Sequence, residues 1–530
     1  MSNKKIVLLL TSAQDYIKHC GDDEKQYAAQ MNIIFESISE TYIPLIKMFE
    51  NLEADEVPFK VALVLSPVLC TLLDDSVIQS QYIEWLDKRI ELGKKELERC
   101  SNTEYVNSAR FYFEKAQSDK ADFLRYDQKI LRKIRKKKKK GYIELLATCG
   151  TNVYLPHYND IVEILNAQVE AGLYSHKYFF GEAADGFWLP ELGYSSGFEK
   201  IIRSYGMSYT VLDTRSFLFS ENESEKGIFS PARFSNSLAV FGRDGESDNQ
   251  IFGEDGYSSN GIYRNNHRDI GFELPLSDLS PCIEECSSRY SLGYKYWNSS
   301  ELNKDAAYNH ESAFEETKKD AFDFLDSKNE KLSQAAEIIA DSEDVSLICS
   351  IDLDRLRASW FEGIKWLENI FRVNIENNFD LSFTTPKNLI GNQFALQKIK
   401  PYYGAANGTG YGEDLLSSKN SWLVRYVRKA SQRMVDLVER FPSETGLKAR
   451  LLNIGAKELM IAQSVGWKKM LNDGIFPEYA EQRFQECIID FTAVFDALGS
   501  NTVSTEWLTK LEIKHSLFPW MNYRIFSRKH

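Results

Sequence analysis

The sequence predicts an α/β protein: a barrel of parallel strands, whole or distorted, followed by an all-helical C-terminal domain. Three observations carry this. Short continuous apolar runs such as Ile6–Leu10 and Val61–Leu65 mark strands covered on both faces. Stretches of helical spacing separate those runs, which implies a parallel sheet with right-handed crossovers. Beyond about residue 395 only helical periodicity remains. A doubly wound sheet is the alternative to a barrel.

The elements follow in order. Ile6–Leu10 is the first strand, residues 25–50 have helical spacing, and Val61–Leu65 is the second strand. Residues 78–140 read as long charged helices that close on Arg132, Lys133 and the run Arg135 to Lys140. One basic run in an acidic chain is read as a solvated last helical turn, where cations favour the helix dipole; a polyanion site is the alternative. Tyr142–Ala147 is the third strand, Phe187–Glu191 the fourth and Ser208–Asp213 the fifth. Residues 214–300, rich in Gly, Ser and Asn, are too long for a plain connection and are expected to form a functional excursion over the active-site face. Residues 303–341 are helical, and Ser346–Ile351 and Leu381–Thr384 are the sixth and seventh strands.

In the C-terminal part, Leu423, Val427, Ala430, Met434, Leu437 and Phe441 form one apolar stripe, and Phe484, Ile488, Phe491, Phe495 and Leu498 another. The expected division is 1–395 and 396–530, with Gly404–Gly412 as the loop between the barrel and the helical domain. That loop is glycine-rich but follows no strand, so it is not a dinucleotide fingerprint.

Composition narrows the partners. A chain of 530 residues is too long for a single core. Its net charge of −13 argues against nucleic acid or an anionic membrane surface. The eight cysteines lack CxxC spacing. Cys282 and Cys286 have no second pair to complete a zinc site, so no metal and no cofactor is expected. Free thiols fit a cytoplasmic protein. Lys4 and Lys5 precede an apolar run too short for a signal peptide, and no stretch is long enough to span a bilayer.

Two acids stand out. Gly186-Phe187-Trp188-Leu189-Pro190-Glu191 buries its apolar residues and presents Glu191 at the strand tip. Ser346 through Ile351 does the same for Asp352. Strand tips are where α/β barrels keep catalytic groups, and two carboxylates facing one hollow are the apparatus of glycoside chemistry. The plain alternative for Glu191 is a structural strand-end acid satisfied by backbone N–H groups. Asp354 follows on the same face and could assist Asp352 or compete with it.

At this point the chain resembles glycoside hydrolase family 57, in particular its α-1,4-glucan branching enzymes and the α-amylase-like proteins beside them. The resemblance rests on Phe187 through Tyr194, Tyr142 through Cys149, Phe241-Gly242-Arg243-Asp244, Arg268-Asp269-Ile270-Gly271, Trp360-Phe361-Glu362-Gly363, Ala456 to Met460, Ala462-Gln463-Ser464 and Trp467. It implies a distorted (β/α)7 TIM-like barrel followed by helices that complete the cleft. It also implies a retaining mechanism with Glu191 as nucleophile and Asp352 as acid and then base, acting on an α-glucan or maltooligosaccharide. Branching is the first expectation, with amylase-type or 4-α-glucanotransferase-type activity as variants. Arg243, Trp360, Trp467, Tyr154 and Asp354 are the expected substrate-binding residues, whereas Trp188 is read as core.

The departures from the family pattern are as informative. Polar positions of the family are occupied by Thr11, Ala13, Asn152, Arg215, Ala358 and Gly466, and a tryptophan position by Ala406. Losing several groups that hold sugar hydroxyls costs roughly 1–3 kcal/mol each. The substitutions raise a second possibility, a non-catalytic glucan-binding protein on the same fold.

Overall fold

The structure is a computed structural model that describes residues 4–19, 26–283, 289–339, 344–406 and 408–528. Cys286 lies outside the described residues. Nine strands are described: β1 (Lys4–Ser12), β2 (Val61–Leu65), β3 (Ile143–Leu146), β4 (Gly186–Trp188), β5 (Tyr209–Leu212), β6 (Ala232–Arg233), β7 (Ala239–Gly242), β8 (Val345–Asp352) and β9 (Ser382–Phe383).

Seven of these strands close a ring. β1 pairs in parallel with β2 and β8, and β2 with β3. β4 pairs with β5, and β5 with β7, again in parallel. Two single parallel bridges, Ala147 to Phe187 and Arg243 to Ile348, join the halves. The result is the expected distorted barrel, with two weak seams where only one residue pair bridges.

The continuous apolar runs have a clear physical reason. Val7, Leu9, Ala62, Val64, Val211, Phe241 and Ile348 point inward and fill the barrel with Tyr209 and Ile390. The intervening Ile6, Leu8, Leu10, Val61, Leu63 and Leu65 point outward into the main core beneath the helices. A strand wetted on neither face has no polar alternation to show.

Two expectations change. The 381–384 stretch supplies only the two-residue β9, which pairs with Lys5 and Ile6 near the start of β1. The remaining stave is β7, inside the 214–300 stretch. That stretch is therefore part of the barrel and not only a cover. Its later part packs away from the cleft, where Ile270, Leu292, Tyr294 and Tyr296 form a core with Leu92 and Tyr112. Those two come from the long helices Ser76–Arg99 and Val106–Arg125.

The basic run forms the helix Ile130–Lys139. It is less solvated than expected: Lys133 pairs with Glu50 at 3.1 Å, Lys138 with Glu182 at 2.8 Å, and Lys137 donates to the Phe49 carbonyl at 3.0 Å.

Past β9 the chain folds into helices, among them Ser421–Arg440, Gly446–Ala462, Gly466–Asp473 and Pro477–Ser500. Leu423, Val427, Ala430, Met434 and Leu437 are buried, as are Phe484, Phe491 and Leu498; Phe441, Ile488 and Phe495 are half-buried against the same core.

One close approach positions the site. Gly172, in the helix Val162–Phe180, lies so near the end of β3 that a Cβ there would overlap the Thr148 carbonyl oxygen. Gly172→Ala is expected to lower stability by about 1–3 kcal/mol despite alanine's better helix propensity, because backbone must move. Denaturant titration against the unaltered protein measures it.

Candidate active site

The strand tips of the barrel and the helix Gly466–Asp473 enclose a cavity of about 560 Å3. Thr11 and Ser12 at the end of β1, Thr148, Thr151 and Asn152 after β3, Trp188 at the end of β4 with Pro190 to Leu192 beyond it, and Asp352 at the end of β8 contribute to its wall. An adjoining cavity of about 610 Å3 shares Arg243, Asp248, Arg355 and Ala406 with it, so the cleft is longer than one sugar.

Glu191 and Asp352 both line this cavity. Glu191 adopts φ +57° and Leu192 φ +50°, two consecutive non-glycine residues in the left-handed region. Such backbone costs energy and persists only where surroundings impose it. Here the Ala406 backbone N–H donates to the Glu191 carbonyl at 2.8 Å. Glu191 Oε1 accepts from Asn152 Nδ2 at 3.1 Å and from Lys469 Nζ at 2.6 Å.

Asp352 is set differently. It caps the helix Leu353–Ser359, its Oδ1 accepting from the backbone N–H groups of Asp354 at 2.9 Å and Arg355 at 3.1 Å. Its side chain is exposed to the cavity, whose walls surround it on several sides. Desolvation therefore raises its pKa, and Glu191 raises it further, against the pull of the capping N–H groups and Lys469.

Asp354 sits beside it, with Oδ2 accepting from Ser12 Oγ at 2.9 Å and the Ala13 N–H at 2.8 Å. Burial, and then the neighbouring Asp352, push its pKa up to about 7. Close like charges ionise as a pair, so both carboxyl groups are pushed above the usual carboxylate range.

Lys469 and Asp15 are wall residues that the sequence did not single out. Lys469 is the counter-charge of the site. Burial would lower its pKa, but Glu191, Asp352 and Asp15 together hold it raised. Asp15, just past β1, is the second, and its Oδ1 accepts from Ser464 Oγ. No spacing rule marks either. The only signal for Lys469 is its place two residues past Trp467 in a recognised motif. Lys469→Met is expected to strip Glu191 of its lysine counter-charge, leaving the Asn152 bond, to raise its pKa and to lower kcat/KM roughly 100-fold. A pH–rate profile whose acid limb moves to higher pH checks this.

Three expected substrate-binding aromatics do not reach the cavity. Trp360 is 1 % exposed and packs against Tyr263 and Trp366 at 5.2 and 5.4 Å between ring centres. Trp467 is fully buried, and its Nε1 donates to the Ile461 carbonyl at 2.8 Å. Tyr154 is buried among Ala405, Leu415 and Val465, its hydroxyl donating to the Tyr411 carbonyl at 3.0 Å. Each ring braces the backbone behind the wall. The aromatic on the wall is Trp188, which the sequence reading assigned to the core.

Arg243 does line the cavity, held by Asp213 at 2.9 Å and Asp248 at 2.7 Å. Of the departures, Thr11, Ala13, Asn152, Ala406 and Gly466 line the main cavity, and Arg215 the adjoining one. Ala358 is exposed, away from both.

Among the described residues, Glu458, Asp490 and His515 bring three possible ligand atoms within 4.8 Å of one another in the C-terminal helices. Lys514 Nζ pairs with Asp490 there at 3.3 Å.

A barrel that gathers Glu191 and Asp352, with Asp354 beside them, in one cavity at its strand tips has the layout of a glycoside-processing fold. The chain belongs to glycoside hydrolase family 57: the model described as "Glycosyl hydrolase family 57" matches residues 7–276, over half of the chain. The one described as "1,4-alpha-glucan branching enzyme, C-terminal" matches residues 426–526. A 1,4-alpha-glucan branching enzyme of Thermococcus kodakarensis is 25% identical over 485 residues, covering 85% of this chain and 68% of that protein. The crystal structure of the alpha-amylase AmyC of Thermotoga maritima superposes with a TM-score of 0.90 at 27% identity, over 100% of both chains. A family 57 branching enzyme of Pyrococcus horikoshii shares the fold, with a TM-score of 0.87 at 21% identity over 100% of this chain and 97% of that one.

Proposed function

We propose that the protein is an α-glucan-active retaining enzyme that transfers a cleaved glucan segment to an acceptor glucan, as a branching enzyme does. The observation that carries this is the contrast between two carboxyl groups in one cavity. Glu191 is bonded to a lysine and an amide, which favours the charged form of a nucleophile. Asp352 is desolvated and faces other carboxylates, which keeps a proton on an acid.

The chemistry follows from that contrast. Glu191 attacks the anomeric carbon as the glycosidic C–O bond breaks, and Asp352 gives its proton to the leaving oxygen. An acceptor hydroxyl then attacks the same carbon, Asp352 takes its proton, and the bond to Glu191 breaks. Two displacements retain the anomeric configuration. Transfer rather than hydrolysis requires water to be kept from the glycosyl–enzyme. The Gly404–Gly412 loop and the helix Gly466–Asp473 contribute Ala406 and Lys469 to the wall, which supports residues 396–530 as a domain that completes the cleft of a barrel spanning 1–395.

The C-terminal match to branching enzymes favours transfer over amylase-type hydrolysis. Free thiols at the six described cysteines favour a reducing cytoplasm. Among the described residues, no helix is long and apolar enough to cross a membrane. Incubation with amylose, followed by debranching and sizing of the released chains, tests the reading: new α-1,6 links support it, reducing ends without branches point to hydrolysis, and neither product refutes an active enzyme.

A further inference from the structure

Gly466 is the first residue of the helix Gly466–Asp473 and is not among the glycines with positive φ. Backbone conformation therefore does not call for glycine. Space does: a Cβ built on Gly466 would fall inside the Asp15 carboxyl group. A side chain at 466 and the carboxylate of Asp15 compete for one volume on the wall of the cavity, which both residues line.

The Asp15 carboxylate is held at one end only. Ser464 Oγ donates to Oδ1, and Oδ2 makes no hydrogen bond among the described residues. Desolvation raises its pKa, Ser464 and Lys469 draw it down, and Glu191 raises it, so the group stands within the electrostatic reach of the nucleophile. A half-satisfied carboxylate in a polar, sugar-sized cavity is an acceptor in need of a donor. Pyranose hydroxyls are such donors. The neighbouring wall residues Thr11 and Ala13 are small, which leaves the approach open.

We propose that Asp15 accepts a hydrogen bond from a hydroxyl of the glucose unit that reacts at Glu191, and that Gly466 exists to admit its carboxylate. The two positions form one specificity-determining unit, in which the acid comes from the tip of β1 because the helix yields its side chain. The inference rests on the α-glucan reading of the cavity. The competing explanation is that Asp15 only balances the charge of Lys469.

The test uses maltotetraose binding by calorimetry in the Glu191→Gln protein and kcat/KM in the otherwise unaltered one. Asp15→Asn keeps the shape and half of the hydrogen bonding. It is expected to lower both affinity and kcat/KM roughly 10–100-fold, the worth of a hydrogen bond to a charged acceptor. A series of monodeoxy maltosides supplies the readout that charge balance would not move. For the one sugar lacking the bonded hydroxyl, the Asp15→Asn penalty should shrink to under about twofold. Gly466→Asp alone should be damaging, and Asp15→Gly combined with Gly466→Asp should recover at least about tenfold over Asp15→Gly alone. An Asp15→Asn protein within about twofold of the parent, or an equal penalty for every deoxy sugar, overturns the proposal while leaving the glucan reading intact. Failure of the parent to bind any maltooligosaccharide overturns both.

Discussion

Glu191→Gln will lower turnover of amylose by roughly 10⁴-fold or more, because the amide cannot form the glycosyl ester through which both displacements run. The change is isosteric, and the fold should survive it. What it disturbs is charge: Lys469 Nζ, now 2.6 Å from a carboxylate oxygen, would face a neutral amide with Asp352 and Asp15 as its remaining partners. Maltotetraose should still bind, since the cavity wall is otherwise unchanged. Loss of turnover with retained binding is the expected pair of results. Retained turnover would mean that another group does the chemistry.

Asp352→Asn has the second-largest expected effect, about 10²–10⁴-fold in kcat. It should depend on the leaving group. An α-glucosyl fluoride needs no proton from the enzyme to depart, so its glycosylation step should be nearly spared, whereas amylose cleavage should collapse.

The pH profile adds a sign. Asp352 must hold its proton to act, so activity falls on the basic side. Asp354 is pushed up to about 7 by burial and by Asp352. Asp354→Asn removes that neighbouring charge, so the pKa of Asp352 falls and the basic limb moves to lower pH. The same residue links pH to folding. Its folded pKa lies above its unfolded value near 3.8, so its contribution is full below that value and is lost as pH rises through about 7. Denaturation midpoints of Asp354→Asn should therefore be flatter with pH across that window.

The parts of this site that were legible in the sequence are those where burial and chemistry speak through one local pattern. Strands dry on both faces appear as unbroken apolar runs, and an acid at the end of such a run is conspicuous; Glu191 and Asp352 are of this kind. β7 was missed because its Ala239–Gly242 core is four residues long amid Gly, Ser and Asn. Leu381–Thr384 was over-read because an apolar start does not reveal that only Ser382 and Phe383 find a partner.

The aromatics failed for a physical reason. A ring that stacks on sugar and a ring that braces the wall from behind have the same composition and neighbours, and only coordinates separate Trp188 from Trp360, Trp467 and Tyr154. Lys469 and Asp15 were silent because each owes its role to residues hundreds of positions away. Gly466 was visible as a departure, but its meaning lay in the carboxyl group of Asp15, which the chain brings to it from the opposite end.

The central claim, that Glu191 is the group that bonds to the sugar, is tested most directly by trapping that bond. The protein is treated with a 5-fluoro-α-glucosyl fluoride, whose glycosyl–enzyme forms but turns over slowly, then digested with a protease and examined by mass spectrometry. A mass increase of one fluoroglucosyl unit on the peptide carrying Glu191, absent from the Glu191→Gln protein, is the expected result. The same label on the peptide carrying Asp352 and Asp354, or no label on a protein that turns over amylose, would contradict it.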